Sequence, residues 1–372
     1  MKIVYVLWST AVMGGLETVT ALKVNSLVDR GYDVSLITRR QKGAKPFADI
    51  DPRVEQVDID VEWEYAYQCP NPIKRFFELK RLHRLYRTRI LAQIRRMKPN
   101  IIVLTSFSEA EILKRSVNQI KKGAAPNAKI ILESHSSKYF SLTEPHRPKG
   151  VLGTIGSLFD KIRKLSYEKL PSFYDQFVVL THEDKDQWAA IKNIAVIPNP
   201  RRFETSDRSD YSAHKVITVG RYAKEKGHLD LIEIWSKVAH QYPDWTLEIV
   251  GDGYMRQTMQ RRIEELGVGG SVMLHPATRD VVGRLKTASI FVLTSYSEGF
   301  PMVLAEAQAL GLPIVSYACK CGPRDIVSDG VDGYLVSTGD IRGGGKLPLS
   351  INGRQTTKRI NGQTSWYSIV AA

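Results

Sequence analysis

Short apolar runs alternate along the chain with longer segments in which apolar residues recur every three or four positions. The runs lack polar alternation, which is typical of parallel strands buried on both faces, and the amphipathic segments are typical of helices packed on a sheet. Because this order repeats in both halves of the chain, the pattern predicts a doubly wound α/β protein. The clearest predicted strands are Lys2–Trp8, Asp33–Thr38, Ile101–Thr105, Lys129–Glu133, Val216–Val219, Trp245–Val250 and Ile290–Leu293.

The stretch Phe291–Pro313 combines this pattern with candidate chemistry. A predicted strand is followed by a polar loop that carries Glu298, and a helix with Pro301 at its first position carries Glu306. Ligands of open α/β sheets bind at the carboxyl ends of the strands, and the start of a helix favours phosphate. Carboxylates suit hydroxyl groups instead, so the combination indicates a nucleotide-sugar.

Two further loops at predicted strand ends have the composition of phosphate sites. Arg221 and Lys226 lie between glycines in the loop after Val216–Val219, and both a guanidinium fork and an ammonium bind phosphate oxygens. Gly14 and Gly15 follow the first strand and allow either a plain tight turn or a close approach of the backbone to a diphosphate. They do not form a G-x-G-x-x-G fingerprint, so a nicotinamide cofactor is not expected.

The formal net charge of +14 is concentrated in two segments. Asn71–Pro99 has ten basic residues and one acid, and Ile341–Ala372 has five basic residues and no acid. The remainder is balanced, so a nucleic-acid-binding surface is not expected. Asn71–Pro99 predicts a helix whose apolar stripe includes Phe76 and Leu79. Two interpretations remain open: contact with an anionic membrane surface, or a helix packed on its domain with a solvated basic face.

Cysteine usage and hydropathy favour an intracellular protein without a membrane span. The three cysteines do not make a disulfide framework, and Cys319 and Cys321 lack the second pair that a zinc site needs. No run of about 18 apolar residues occurs, and the sequence begins with a predicted strand rather than a signal-peptide core. We therefore expect a cytoplasmic protein, peripheral at most on the inner face of the cell membrane.

The sequence EGFPMVLAEAQALGLPIV, which follows VGRYAKEKGH and VGDGYM, resembles the E-x7-E signature of the retaining GT-B glycosyltransferases of family 4. The resemblance extends over about residues 1–340 and includes the early glycine pair. It implies two Rossmann-like, doubly wound domains that face each other across a cleft, with an acceptor domain at 1–199 and a nucleotide-sugar donor domain at 200–340. Residues 341–372 depart from the family pattern, and we expect them to form a poorly ordered tail.

The resemblance also implies roles for single residues. Glu306 is expected to bind the ribose hydroxyls of the donor, and Glu298 the hydroxyls of its sugar. His135, after the strand Lys129–Glu133, matches a histidine that contacts the donor sugar and phosphate, although a lone histidine is otherwise more often structural. The expected catalytic residues are Glu298, His135, Arg221 and Lys226, and the expected donor-binding residues are Gly14, Gly15, Arg221, Lys226, Glu298, Gly299, Phe300, Pro301, Met302 and Glu306.

The implied reaction is the transfer, with retention, of a hexosyl or N-acetylhexosaminyl group from a nucleotide-sugar, expected to be UDP-linked. The implied acceptor is a polysaccharide or lipid-linked oligosaccharide, as in lipopolysaccharide or capsule synthesis. Cations and backbone N–H groups would stabilise the leaving diphosphate without a metal or another cofactor. A nucleotide-sugar epimerase of the same fold and a catalytically impaired nucleotide-sugar-binding protein remain alternatives. A glycoside hydrolase is not one, because the cation pair would then have no purpose.

Overall fold

The computed structural model describes residues 1–12, 14–138, 161, 164–203, 207–209 and 211–341. The predicted tail at 341–372 therefore lies outside the described residues, apart from Ile341. The described chain divides into two compact units. The first contains the residues up to Pro200, apart from 136–138, which group with the second, and the second contains the residues from Arg201 onward.

The described part of the first unit is built on a sheet of seven parallel strands. Their order across the sheet is β3-β2-β1-β4-β5-β6-β7. The register pairs Val4 with Ser35 on one side of β1 and with Ile102 on the other. The strands are β1 Lys2–Leu7, β2 Asp33–Thr38, β3 Glu55–Asp58, β4 Ile101–Leu104, β5 Lys129–Glu133, β6 Gln176–Val179 and β7 Ile194–Val196.

Helices cover both faces of this sheet. In β1, Val4 and Val6 belong to one apolar cluster, whereas Ile3, Tyr5 and Leu7 belong to another. Because successive side chains of a strand point to opposite faces, the unbroken apolar run of β1 fills two cores at once. The described helices are α1 Gly15–Asp29, α2 Glu64–Tyr67, α3 Pro72–Met97, α4 Phe107–Leu113, α5 Val117–Gln119 and α6 His182–Asp186.

The second unit repeats this architecture with six strands among its described residues, in the order β10-β9-β8-β11-β12-β13. Alternate residues of β11 again enter two clusters. The strands are β8 Lys215–Val219, β9 Thr246–Val250, β10 Val272–His275, β11 Ile290–Leu293, β12 Ile314–Tyr317 and β13 Gly333–Val336. The described helices are α7 His228–Val238, α8 Arg256–Glu265, α9 Val281–Lys286, α10 Met302–Ala309 and α11 Pro323–Ile326.

The basic helix α3 packs on the first unit, but its buried stripe is shorter than the sequence predicts. Asn71 caps it, because its Oδ1 accepts hydrogen bonds from the N–H groups of Ile73 and Lys74. The buried residues are Leu82, Tyr86, Ile90, Leu91, Ile94 and Met97. The prediction that Phe76 belongs to this stripe is wrong, since its side chain is exposed, and Leu79 is only half-buried. None of the helices in the described ranges combines the length and apolar character that crossing a bilayer requires.

Candidate functional site

The candidate site in the second unit lies where the strand order reverses. β8 and β11 are neighbours, yet the chain leaves β8 toward β9 and leaves β11 toward β12, on opposite sides. The loops that follow these strands therefore diverge and leave a crevice at their carboxyl ends, which is where open α/β sheets bind ligands. Predicted site residues lie in both loops: Arg221 and Lys226 in the first, and Glu298, Gly299, Phe300 and Pro301 in the second.

Hydrogen bonds to backbone carbonyls hold the two loops together. The N–H of Tyr296 donates to the carbonyl of Glu225 over 2.8 Å, and Thr294 Oγ1 donates to the carbonyl of Lys226 over 3.3 Å. Gly227 has a φ of 62°, and a Cβ at this position would lie 2.0 Å from the Thr294 carbonyl oxygen. Only glycine therefore permits this approach of the loops.

Lys226 and Glu298, which are 72 positions apart, form an ion pair in this crevice. Lys226 Nζ lies 2.7 Å from Glu298 Oε1, and the side chains are only 21% and 10% exposed. The backbone of Glu298 is fixed as well: its N–H donates to Lys320 and its carbonyl accepts from Cys321. The structure thus brings together Lys226, which is predicted to bind phosphate, and Glu298, which is predicted to bind the sugar.

Arg221 is placed differently. Its side chain is 68% exposed, and Nη2 lies 2.9 Å from Oε1 of Glu225 within the same loop. An exposed pair of this kind contributes little to stability. The guanidinium is therefore at the rim of the crevice, where it is accessible to a ligand but is not paired with Glu298.

The start of α10 borders the crevice on the β11 side. The sequence predicts Pro301 at the first helical position, whereas the structure places it one residue earlier, as an extended N-cap with φ of −72°. Gly299, Phe300 and Met302 around it are partly exposed. A Cβ on Gly322 would lie 2.5 Å from Pro301 Cδ, so the loop before α11 packs tightly against this turn.

Glu306, on α10, has a partner that the sequence does not reveal. Its carboxylate is fully buried, and Arg202 binds both oxygens: Nε donates to Oε1, and Nη2 donates to Oε2 over 2.5 Å. Such a side-on, bidentate pair fixes the carboxylate in orientation as well as charge. The sequence signal is two basic residues, Arg201 and Arg202, directly after Pro200, and it does not point to Glu306.

His228, the first residue of α7, is a second residue that sequence reasoning missed. It is buried, and its Nε2 donates to the Arg221 carbonyl over 3.1 Å, which fixes the turn after β8. Burial first, and then the charge of Lys226, lowers the pKa of His228 to about 4, against the opposing effect of hydrogen bonds to backbone carbonyls. The imidazole is therefore neutral at pH 7, and its only sequence signal is its place in the run KGH.

In the first unit, the predicted residue His135 belongs to a buried charged cluster at the carboxyl end of β5. Lys23 Nζ and His135 Nε2 donate to the same oxygen of Glu133, over 2.9 and 3.0 Å. Burial opposes ionisation of Glu133, but the His135 hydrogen bond and the Lys23 charge outweigh it and lower the pKa of Glu133 to about 2. His135 Nδ1 is buried without a hydrogen-bond partner among the described residues.

The predicted glycine pair lies at the carboxyl end of β1, beside the point where this strand order also reverses. Gly14 is the N-cap of α1 and has an extended backbone, and Gly15 is the first helical residue. The Glu17 carboxylate folds back over Gly14, so that a Cβ on Gly14 would lie 2.3 Å from Glu17 Oε2. The Trp8 indole N–H donates to the other carboxylate oxygen of Glu17.

In the described ranges, no group of three or more potential His, Cys, Asp or Glu metal ligands occurs.

Comparisons with known proteins match most of the chain. Residues 13–204 match the family model described as Glycosyltransferase Family 4, and residues 204–343 match the model described as Glycosyl transferases group 1. An uncharacterized glycosyltransferase of Haemophilus influenzae is 28% identical over 345 residues, which cover 91% of this chain and 87% of that protein. A lipopolysaccharide 1,6-galactosyltransferase of Salmonella typhimurium is 32% identical over 157 residues, which cover 40% of this chain and 44% of that protein.

Among solved structures, the chain is similar to a variant of S. aureus TarM in complex with fondaparinux, alpha-GlcNAc-glycerol and UDP. The TM-score is 0.67, and the alignment covers 91% of this chain and 90% of TarM. At 13% identity this similarity concerns the fold. The prediction of two Rossmann-like, doubly wound domains of GT-B type is confirmed.

Replacing Gly227 by alanine is expected to destabilise the protein by about 2 kcal/mol or more, because the left-handed backbone disfavours a side chain and the new Cβ meets the Thr294 carbonyl. Gly267→Ala is the matched control: φ is 67°, but no described heavy atom lies within 4 Å of its Cβ position, so its loss should be about 1 kcal/mol. Denaturant unfolding measures both, and equal losses would contradict the close approach of the two loops.

Arg202→Met is expected to lower the free energy of unfolding by about 3 kcal/mol, because it leaves the buried Glu306 carboxylate without its cation. Arg208→Met is the control, since among the described residues Arg208 makes an exposed 3.4 Å contact with the Ala309 carbonyl and no contact with a buried carboxylate. Adding Glu306→Gln to Arg202→Met should recover part of the loss. Equal free energies of unfolding for Arg202→Met and Arg208→Met would show that the Arg202–Glu306 pair does not stabilise α10.

Stability should fall as pH drops from about 6.5 toward 4, because unfolded His228 binds a proton in this window while the buried imidazole does not. The contribution is fully present above the unfolded pKa and amounts to about 3 kcal/mol at most. Unfolding free energies measured across this range should lose that slope in His228→Gln and keep it in His240→Gln, which removes an exposed histidine. An unchanged slope in His228→Gln would show that the imidazole is not buried as described.

Proposed function

This chain belongs to the group 1 glycosyltransferases of family 4, and from that membership we propose that it transfers a hexosyl or N-acetylhexosaminyl group, with retention, from a UDP-sugar. The proposed acceptor is a polysaccharide or lipid-linked oligosaccharide of cell-surface glycan synthesis. No resident metal is required in this proposal, because the cations of the chain stabilise the leaving diphosphate.

The Lys226–Glu298 pair is the observation that carries the proposal. It places a cation and a hydrogen-bond acceptor 2.7 Å apart at the reversal point of the second sheet. An ammonium has three donors, so Lys226 can hold Glu298 and a phosphate oxygen at the same time. Glu298 keeps a second oxygen for sugar hydroxyls. A diphosphate and a sugar bound side by side would each find a complementary group.

The remaining donor contacts follow from the elements around this pair. The free N–H groups at the start of α10, after Pro301, favour the negative charge that develops on the leaving group. Arg221 at the rim supplies a second cation. Glu306, held by Arg202, can still accept hydrogen bonds from ribose hydroxyls, because a carboxylate has about four lone-pair sites.

In the first unit, His135 is proposed to contact the donor sugar through Nδ1. The Glu133 carboxylate accepts from Nε2 and thereby sets which ring nitrogen carries the proton. In the neutral imidazole Nδ1 is then an acceptor for a hydroxyl group, and the buried atom would gain the partner that the described residues do not supply. The Gly14–Gly15 backbone is proposed to approach the diphosphate, which requires Glu17 to move away from Gly14.

The activities of two relatives support the acceptor class. The Salmonella typhimurium relative acts in lipopolysaccharide synthesis, and another relative, from Erwinia amylovora, is an amylovoran biosynthesis glycosyltransferase. UDP is present in the TarM complex, which supports a UDP-linked donor. Because such acceptors are often membrane-bound, we propose that the basic helix α3 contacts an anionic membrane surface.

Release of nucleoside diphosphate from a panel of UDP-, GDP- and ADP-sugars, with and without a membrane lipid extract, tests this function. One UDP-sugar should release UDP only with the extract. Glu298→Gln and Lys226→Met should each lower the rate by about 100-fold, since each removes a contact to the reacting groups. Lys224→Met is the matched control in the same loop and should stay within about twofold of the parent.

Three results would contradict the proposal. An isomeric nucleotide-sugar formed without release of nucleoside diphosphate would establish an epimerase instead. Intact donor with every acceptor, despite nucleotide binding, would establish a binding-only protein. Full activity in Lys226→Met and Glu298→Gln would place the reaction away from the reversal point of the second sheet.

A further inference from the structure

Five exposed apolar side chains lie where α2 meets α3, and we call them the aromatic tip. The rings of Phe76 and Phe77 contact each other edge to face, with centroids 5.5 Å apart, and the Tyr65 hydroxyl donates to Glu78 and so joins α2 to α3. Clustered exposed apolar groups on a water-facing surface mark contact sites. The tip consists of Tyr65, Tyr67, Ile73, Phe76 and Phe77, which are between 46% and 68% exposed.

The tip is exposed because α3 is longer than the sheet on which it packs. Its 26 residues span about 39 Å, whereas the longest strands of the sheet, with six residues, span about 20 Å. Burial begins only at Leu82, so the first turns extend past the sheet. Since α3 follows β3 and leads back to the start of β4, these turns lie toward the carboxyl edge of the strands, the edge that also carries Gly14 and His135.

Cations continue the face of the helix that the tip begins. Lys80, Arg84 and Arg87 follow Ile73 and Phe77 at intervals of three or four residues, so they lie one to three turns behind the tip. In the described part of the chain, none of these three cations is within ion-pair distance of a carboxylate. The face is therefore apolar at its end and uncompensated in charge behind it.

A neighbouring element adds to this charge. Arg115 lies in the turn after α4. The pKa of Arg87 is lowered, first by the burial of its own side chain and then by repulsion from Arg115 and Arg84. Cations that are clustered without acidic neighbours repel one another, and binding an anionic partner reduces this repulsion. The partner of this face must therefore combine negative charge with an apolar layer.

We propose that the aromatic tip inserts into the interface of an anionic bilayer while Lys80, Arg84 and Arg87 contact its lipid headgroups. Aromatic rings favour the boundary between headgroups and acyl chains, and cations behind them are attracted to anionic lipids. A second copy of this chain is a poorer occupant, because two surfaces of the same positive charge would face each other. The inference rests on the proposed membrane contact of α3 and names the residues that make it.

Flotation of the full chain with vesicles, without donor or acceptor, tests the insertion. The protein should bind vesicles that contain phosphatidylglycerol and bind phosphatidylcholine vesicles much more weakly. The pair Phe76→Ser/Phe77→Ser should weaken binding to the anionic vesicles at least about tenfold. Phe173→Ser is the matched control, because Phe173 is an exposed phenylalanine before β6, at the opposite edge of the same sheet.

The electrostatic part has its own matched pair. Lys80→Gln/Arg84→Gln should weaken the binding and reduce its salt dependence, whereas Lys122→Gln/Lys129→Gln, at the amino edge of β5, should change neither. Unaltered thermal unfolding of these surface variants excludes misfolding as the cause. Parent-like binding of the double serine variant, or a tip-dependent dimer in light scattering without vesicle binding, would overturn the proposal. Vesicle binding without sugar transfer would refute the proposed function and would still support the proposed membrane contact of the aromatic tip.

Discussion

The adjacency of β8 and β11 is the constraint on which the donor-side chemistry depends. Because right-handed connections leave these two strands in opposite directions, α7 and α10 both begin beside the same crevice and point their free N–H groups toward it. The position of Gly227 against the Thr294 carbonyl then fixes how close the two loops come. Lys226 and Glu298 can meet only because this backbone packing is already in place.

Both units contain carboxylates that are buried or nearly buried and are paired with a cation. Glu298 is paired with Lys226, Glu306 with Arg202, and Glu133 with Lys23. A buried ion pair is weak evidence for stability, since desolvation offsets most of the attraction, but losing one partner is costly. These pairs fix the orientation of the carboxylates as acceptors for hydroxyl groups. That property suits a protein that binds sugars and ribose.

The strands that fill two cores were the most predictable part of the fold. β2, β5 and β11 begin and end as the apolar pattern predicts, because residues buried on both faces leave an unbroken signal. The edge strand Glu55–Asp58 is polar and only partly buried, so the pattern does not reveal it. The apolar stripe predicted for α3 wrongly includes Phe76, since helical periodicity does not show where the supporting sheet ends.

The site residues were predictable as types but not as pairs. A glycine-flanked Lys226 and a carboxylate after a strand are visible in the sequence, whereas their contact depends on strand order, which periodicity does not contain. The Arg202–Glu306 pair joins residues 104 positions apart and has no local pattern. Calorimetric binding of UDP to Lys226→Met and Glu298→Gln tests the central claim most directly. If Lys226 holds phosphate and Glu298 holds sugar, Lys226→Met should bind UDP at least about tenfold more weakly, and Glu298→Gln should bind it like the parent. Parent-like UDP affinity in Lys226→Met would contradict the account.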